Sequence, residues 1–453
     1  VSASSSPAKS RGLPPGTALI LLAFWLAGCG GLRVTDRLER DLASGDYAAG
    51  IKTIEEAKAQ YAGPNSLLYY LDLGSFYQRA GDYARSNQAL EQAELLIDEL
   101  YTKSLSESVA SFLVNDTSLS YSGEDFEQVM VNILKALNYL YLGDWEGAQV
   151  EARKVNNRLL ALSDRYGDQA VYRQDGFARY LSAFAYEAGG QYNDAYIDYK
   201  KAYQAYQTYA SHYGTPVPRV LQSDLLRLSR WLDFRDEYRR WRETFGADSP
   251  VPPPRPRKGK RGELLLVVYD GLMPAKRTRY VKVPVRDADD HPYLLKVAFP
   301  VFVPRPPAIS ALEIGLPDER VDASEVMEPV ADIAIQNLEQ RIGLISAKAI
   351  ARATAKYIAA VQARRAARQG GQGLGLLVDI ASNVYTLASE QADTRSWRML
   401  PNRFQLIRVR LPAGTQVLPV RIRAFSGGAR PGRDLEVELQ AGEKKVIPWY
   451  QPR

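Results

Sequence analysis

Ala136-Leu137-Asn138-Tyr139-Leu140-Tyr141-Leu142-Gly143-Asp144-Trp145-Glu146-Gly147-Ala148 holds the pattern from which the first half of the chain is read. A run with helical spacing stops at a Gly-Asp pair, and a second run starts at once. Related turns stand at Gly45-Asp46-Tyr47, Gly81-Asp82-Tyr83 and Gly190-Gln191-Tyr192. Counted from the four glycines, the place four before holds Tyr77, Tyr139 and Tyr186, and the place two after holds Tyr47, Tyr83, Trp145 and Tyr192. Seven before come Gly74, Ala136 and Ala183, five after come Gly50, Ser86, Ala148 and Ala195, and twelve after come Ala57, Ala93 and Ala202. Glycine ends a helix by taking the left-handed conformation, aromatics wedge between helices, and small side chains let two helices approach closely. With apolar residues three and four apart from Asp36 onward, residues 36–249 read as antiparallel helices joined by short turns.

This alternation of small and aromatic places around a Gly turn resembles the tetratricopeptide repeat (TPR), whose period is about 34 residues. The resemblance covers nearly half of the chain. The four glycines are spaced by 36, 62 and 47 residues, so insertions interrupt the stack, chiefly between Asp98 and Asp125, and the proline that usually ends a repeat is missing. Such arrays bind peptides or proteins on a concave face, which is what the resemblance implies here. A tyrosine series, Tyr192, Tyr196, Tyr199, Tyr203, Tyr206, Tyr209 and Tyr213, follows helical spacing. It has two readings: a protein-binding groove lined by Tyr192, Tyr196, Tyr199, Tyr203 and Tyr206, or an aromatic helix core. Leu221, Leu225, Leu228 and Leu232 mark a following helix that caps the array.

The whole chain has 453 residues, 24% charged and 46% hydrophobic, the balance of a folded protein of several domains. One cysteine and two histidines argue against a metal centre or haem, and no cofactor is expected. A net charge of +6 is too small to suggest a nucleic-acid binder. No GxSxG, HExxH, SxxK or Walker motif occurs, His212 and His291 stand alone, and Asp289-Asp290 reads as a solvated turn, so no enzyme is expected.

Lys9 and Arg11 precede an apolar run from Ala18 to Ala27, the layout of a signal peptide over residues 1–28. The run ends in Leu26-Ala27-Gly28-Cys29, which resembles the lipobox of bacterial lipoproteins. That resemblance implies a lipid on Cys29, a lipidated tether over 29–35, and placement on the periplasmic face of the outer membrane, since glycines rather than Asp follow the cysteine. Two or three acyl chains hold a protein on a membrane stably.

Residues 250–262, PVPPPRPRKGKRG, read as a linker, because proline fixes the backbone and removes donors. Its cations Arg255, Arg257, Lys258, Lys260 and Arg261 suit either anionic headgroups or plain solvation. Beyond it, in 263–453, period-two segments at 263–269, 280–285, 294–303, 404–411, 416–425, 435–439 and 444–449 predict an antiparallel β-sandwich-like domain. A helical hairpin is expected to interrupt it over about 322–390, capped by Asp322 or Ser324, with Lys348, Arg352 and Lys356 on one face and an apolar second arm from Leu374 to Ala388. That hairpin can pack on the sandwich, on a second copy or on lipid.

The segment Ala392-Asp393-Thr394-Arg395-Ser396-Trp397, with ELLLVVYDGL and LPAGT, resembles a family of Gram-negative lipoproteins with TPR-like amino-terminal halves, encoded near small lipoproteins that include relatives of peptidoglycan-synthase activators. The family brings no catalytic residues. Asp393 and Arg395 are expected to pair and orient Trp397 at the domain seam. The expected function is a lipid-anchored envelope scaffold or adaptor that binds protein partners, or a second copy of itself. Glycan or peptidoglycan binding through Trp397, Trp449 and the cationic linker is the alternative.

Overall fold

The computed structural model describes residues 30–106, 119–166, 172–246, 260–286, 292–369 and 392–451. The first half is a stack of helix pairs: α1 Gly30–Ser44, α2 Tyr47–Glu56, α3 Lys58–Tyr61, α4 Ser66–Arg79, α5 Tyr83–Ser106, α6 Asp125–Leu142, α7 Trp145–Tyr166, α8 Gly176–Ala188, α9 Tyr192–His212, α10 Arg219–Trp231 and α11 Arg235–Phe245. Each expected Gly turn is present. Gly143 takes φ +74° and closes α6, and the next residue, Asp144, accepts the Gly147 N–H at 2.8 Å to open α7. Asp46 and Asp82 do the same for α2 and α5. The small places are buried, from Ala136 at 1% to Ala183, Ala195 and Ala202 at 0%. At Gly50 even a methyl is excluded, because a Cβ there would meet the Phe76 ring at 1.9 Å.

Helix α1 starts at Gly30, inside the stretch expected to be a tether, because Leu38 and Leu42 are buried and Val34 packs beside them. In the expected insertion, α5 runs on to Ser106, and Tyr121 returns to donate its N–H to the Pro64 carbonyl.

The second half forms three-layer packing with the first. Its central sheet has the order β12-β1-β7-β6, from β12 Lys444–Gln451, β1 Arg261–Asp270, β7 Arg403–Pro412 and β6 Glu325–Glu328. Strand β1 runs antiparallel to β7 and parallel to β12. Along β1, Leu265, Val267 and Tyr269 face the helices, while Leu264, Leu266 and Val268 face a second layer. Burial on both faces explains why LLLVV is continuously apolar rather than alternating. The second layer holds β10-β9-β4-β5, from β10 Ala429–Pro431, β9 Val420–Arg423, β4 Ala311–Gly315 and β5 Val321–Ala323, and the pair β11 Leu435–Leu439 with β8 Gly414–Leu418. In β11 the alternation is complete: Leu435, Val437 and Leu439 are buried, and Glu436 and Glu438 are exposed. A ribbon of β2 Ala275–Arg286 and β3 Pro292–Val303 packs on the helix α12 Val330–Gln369 through Val283, Val297, Phe299, Ala349 and Ala353.

Several boundaries differ from expectation, β2 among them, which begins at Ala275 and not at 280. The run 416–425 divides into β8 and β9 at Pro419, which cannot donate to a ladder. The linker ends at Lys260, since Arg261 already pairs with Pro412. Residues near 322 do not cap a helix: Ser324 donates to Gln405 and accepts the Leu312 N–H, so 321–328 form strands and α12 begins at Val330. The second arm of the hairpin, Leu374–Ala388, lies outside the described residues, as do Cys29, Arg255, Arg257 and Lys258.

Candidate functional site

The first helices of successive pairs, together with α9, carry the face of the array that meets the central sheet. On β7, Phe404, Leu406 and Arg408 point to that face, so the same alternation that delivers Phe404 to Phe177 delivers a guanidinium into the seam. Arg408 is held by Glu187 of α8 at 2.9 Å, by Asp224 of α10 at 2.8 Å and by Glu263 of β1 at 2.9 Å. It also donates to the Tyr199 hydroxyl of α9 at 2.8 Å. Arg227 closes a two-pronged contact on Glu187 at 2.7 and 2.9 Å and reaches Asp224 at 2.7 Å. Lys444 of β12 binds Glu187 at 2.9 Å and also contacts Glu263.

Burial pushes Glu187 up, but Arg227, Arg408 and Lys444 more than offset it and hold its carboxyl well below the usual range. Glu263 is likewise lowered, against its burial, by Arg408 and Lys444. Burial lowers Arg408, and Asp224, Glu187 and Glu263 raise it well beyond its ordinary value. Three carboxylates thus meet the cations Arg227, Arg408 and Lys444, with Arg410 3.6 Å from Glu263, at a seam that three helices and three strands share. Dry charges this well paired specify a docking geometry, since any slippage would strand an ion out of water.

A second polar knot lies where α4 and α6 meet the loop before β7. Arg395 grips Asp393 with two parallel bonds, at 2.9 Å through Nε and 2.7 Å through Nη2, and reaches the Pro64 carbonyl at 2.9 Å. Trp397 is wholly buried; its indole N–H donates to Ser75 Oγ at 2.9 Å and its backbone N–H to Glu127 at 2.7 Å. Glu127 is pushed up to about 7 by burial and by its neighbour Glu124. Glu124 is itself held low, against its burial, by Lys276 and Arg341.

The tyrosine stripe lies on α9. Tyr196, Tyr199, Tyr206 and Tyr209 are buried, and Tyr192 and Tyr203 are half-buried. Tyr206 donates to the Met327 carbonyl at 2.9 Å and Tyr209 to Glu328 at 3.0 Å, so the inner part of the stripe packs against the chain's own sheet instead of lining an open groove. Tyr203 stacks edge-on to Trp241 of α11. Lys260 and Arg261 are exposed.

Glu91, Glu94 and Glu151 converge closely enough to suggest a cation site. Their centre is taken by the Lys135 ammonium, 2.7 Å from Glu94 and 3.1 Å from Glu151, with Lys154 3.1 Å from Glu94. That donor set already has its counter-charge. An open groove of about 500 Å³ runs between the α6–α7 and α8–α9 turns, lined by Trp145, Gln149, Val150, Arg153 and Gln191 among others. Sequence reasoning did not single out this groove or the Arg408 knot. The two Arg residues at alternate places of β7, 408 and 410, were the available signal, because charge on the inward places of a strand requires buried partners.

No protein-family model matches the chain, and no curated protein matches it. Among solved structures, a Podosopora anserina kinesin light chain-like protein with nearly identical TPR-like repeats is 17% identical, covering 47% of this chain and 91% of its own, with TM-score 0.32. MamA from Desulfovibrio magneticus is 14% identical, covering 47% and 89%, with TM-score 0.27. The TPR-like character of the array rests on this chain's own helix pairs and Gly turns.

Proposed function

We propose that the chain is a lipid-anchored scaffold of the cell envelope that holds protein partners. The observation that carries this reading is the occupied inner face of the array. Its helices meet the central sheet through the Glu187–Arg408 network, so contacts with other proteins fall to the outward helices and the turn-side groove around Trp145 and Arg153. The acids and bases of the seam hold one another, which supports binding rather than bond-making. The anchor rests on the Leu26-Ala27-Gly28-Cys29 box. Glycan recognition is less well supported, since Trp397 is buried with its N–H spent on Ser75.

A photo-crosslinking residue at Val150, which is 43% exposed, tests the reading in the native envelope. Capture of one defined envelope protein, or of a second copy, is expected. Sedimentation of the purified chain with peptidoglycan, and no captured protein, would favour the glycan alternative. Cys29→Ser is expected to abolish palmitate labelling and release the chain from membranes.

A further inference from the structure

The β2–β3 ribbon presents an arrangement that the scaffold reading leaves unused. In register, Lys282 stands directly opposite Lys296, and both are exposed on the same face. Like charges directly opposite each other destabilise a ribbon, so this pair is a local cost in the free chain. Lys296 lies 4.0 Å from the Tyr280 ring centroid. Tyr280 is 50% exposed and Leu294 60% exposed, and Pro284 pairs with Leu294 beside them. Among the described residues no carboxylate pairs with Lys282 or Lys296. Helix α12, which packs on the other face of the ribbon through Ala349 and Ala353, contains no acid over residues 342–369 of the sequence.

Two paired cations flanked by an aromatic and an aliphatic side chain match the interface of an anionic phospholipid bilayer. Phosphates neutralise the lysines, Tyr sits at headgroup depth, and Leu reaches the acyl boundary. The ribbon is tied at the Val303 end of β3 to the helix that follows Cys29. Arg305, two residues beyond β3, binds Glu39 of α1 at 3.0 Å, and Glu39 lies only about 14 Å along the helix from Gly30, the residue after Cys29. We infer that the Tyr280–Lys282–Leu294–Lys296 face is a docking surface for an anionic phospholipid bilayer. The role of α1 in placing it rests on the lipid-anchored reading; the face itself does not.

The test uses the chain from residue 29 onward carrying Cys29→Ser, so that neither an acyl group nor the apolar run Ala18–Ala27 contributes. Its binding is measured on vesicles of phosphatidylcholine alone and of phosphatidylcholine with about one third phosphatidylglycerol. Affinity for the anionic vesicles is expected to be at least about tenfold higher and to weaken with salt. Lys282→Glu with Lys296→Glu is expected to bring it down to the neutral-vesicle level. Lys282→Glu alone faces Lys296 with an opposite charge, so the ribbon stays folded while most of the preference is lost. Leu294→Ser is expected to weaken binding to anionic vesicles several-fold. Equal binding to the two vesicles, an unaltered preference in the double variant, or a change of oligomeric state in place of lost vesicle binding would each overturn the inference. Palmitate labelling of the wild-type chain reads the anchor separately, so failure of one does not imitate failure of the other.

Discussion

Arg408 and Glu187, 221 residues apart in the chain, meet at 2.9 Å with 4% and 1% of their side chains exposed. One comes from the central sheet and the other from the array, so the pair couples the two halves directly. Arg408→Met leaves Glu187, Asp224 and Glu263 short of a cation in a dry seam. A loss of about 3–5 kcal/mol is expected, read from the urea midpoint. Arg408→Lys should recover only part, because an ammonium cannot fork across three carboxylates. An unmoved midpoint would show that the halves fold without this knot.

Trp397 fills the second knot. Trp397→Ala is expected to cost about 3–5 kcal/mol through the lost volume and the stranded Ser75 hydroxyl. Trp397→Phe keeps most of the volume and should cost about 1–2 kcal/mol. An unmoved midpoint in Trp397→Phe, measured by equilibrium unfolding, would mean that the indole N–H bond contributes nothing, and equal losses in the two variants would mean that the ring volume does not.

Gly50 tests how closely α2 approaches α4. Gly50→Ala places a methyl against the Phe76 ring and is expected to lower Tm by several degrees, equivalent to about 1–3 kcal/mol. Adding Phe76→Leu should return part of that loss. A double variant less stable than the sum of the singles would contradict the clash.

Stability should fall on the alkaline side. Burial pushes Asp72 up to about 7 and Asp175 up to about 6, and burial with the Glu124 charge raises Glu127 to about 7. Unfolded carboxyls titrate near about 4, so the folded chain holds protons that the unfolded chain has released. The contribution of these groups is full below about pH 4 and is lost as pH rises through about 6 to 7. Glu187 and Glu263, held low, work the other way, and their contribution is lost as pH falls below about 4.5. A maximum in Tm in the mildly acidic range is expected. Asp72→Asn retains an acceptor for Tyr61, 2.9 Å away, and should flatten the alkaline decline. An unchanged slope would remove Asp72 from the account.

Much of the array was legible because its information is local. A Gly-Asp turn such as Gly143-Asp144 ends one helix and caps the next within five residues, and small places such as Ala136 and Ala148 follow from helical spacing. The β11 segment was equally plain, because a strand with one wet face alternates. Strands β4, β5, β6 and β10 were missed, being three to five residues long and too short to show an alternation. The groove reading of the tyrosines differed for a related reason: helical spacing says which side chains share a face, but not what covers that face.

The helix pairs, their Gly turns and the alternating strands are properties of short windows, and the sequence alone determined them. Which surface of the array remains open was decided only by the tertiary structure. It is set where Arg408 meets Glu187 and Tyr206 meets the Met327 carbonyl, through contacts between residues more than a hundred positions apart. A buried ion is stable only when its partners arrive together, and no local pattern announces that arrival.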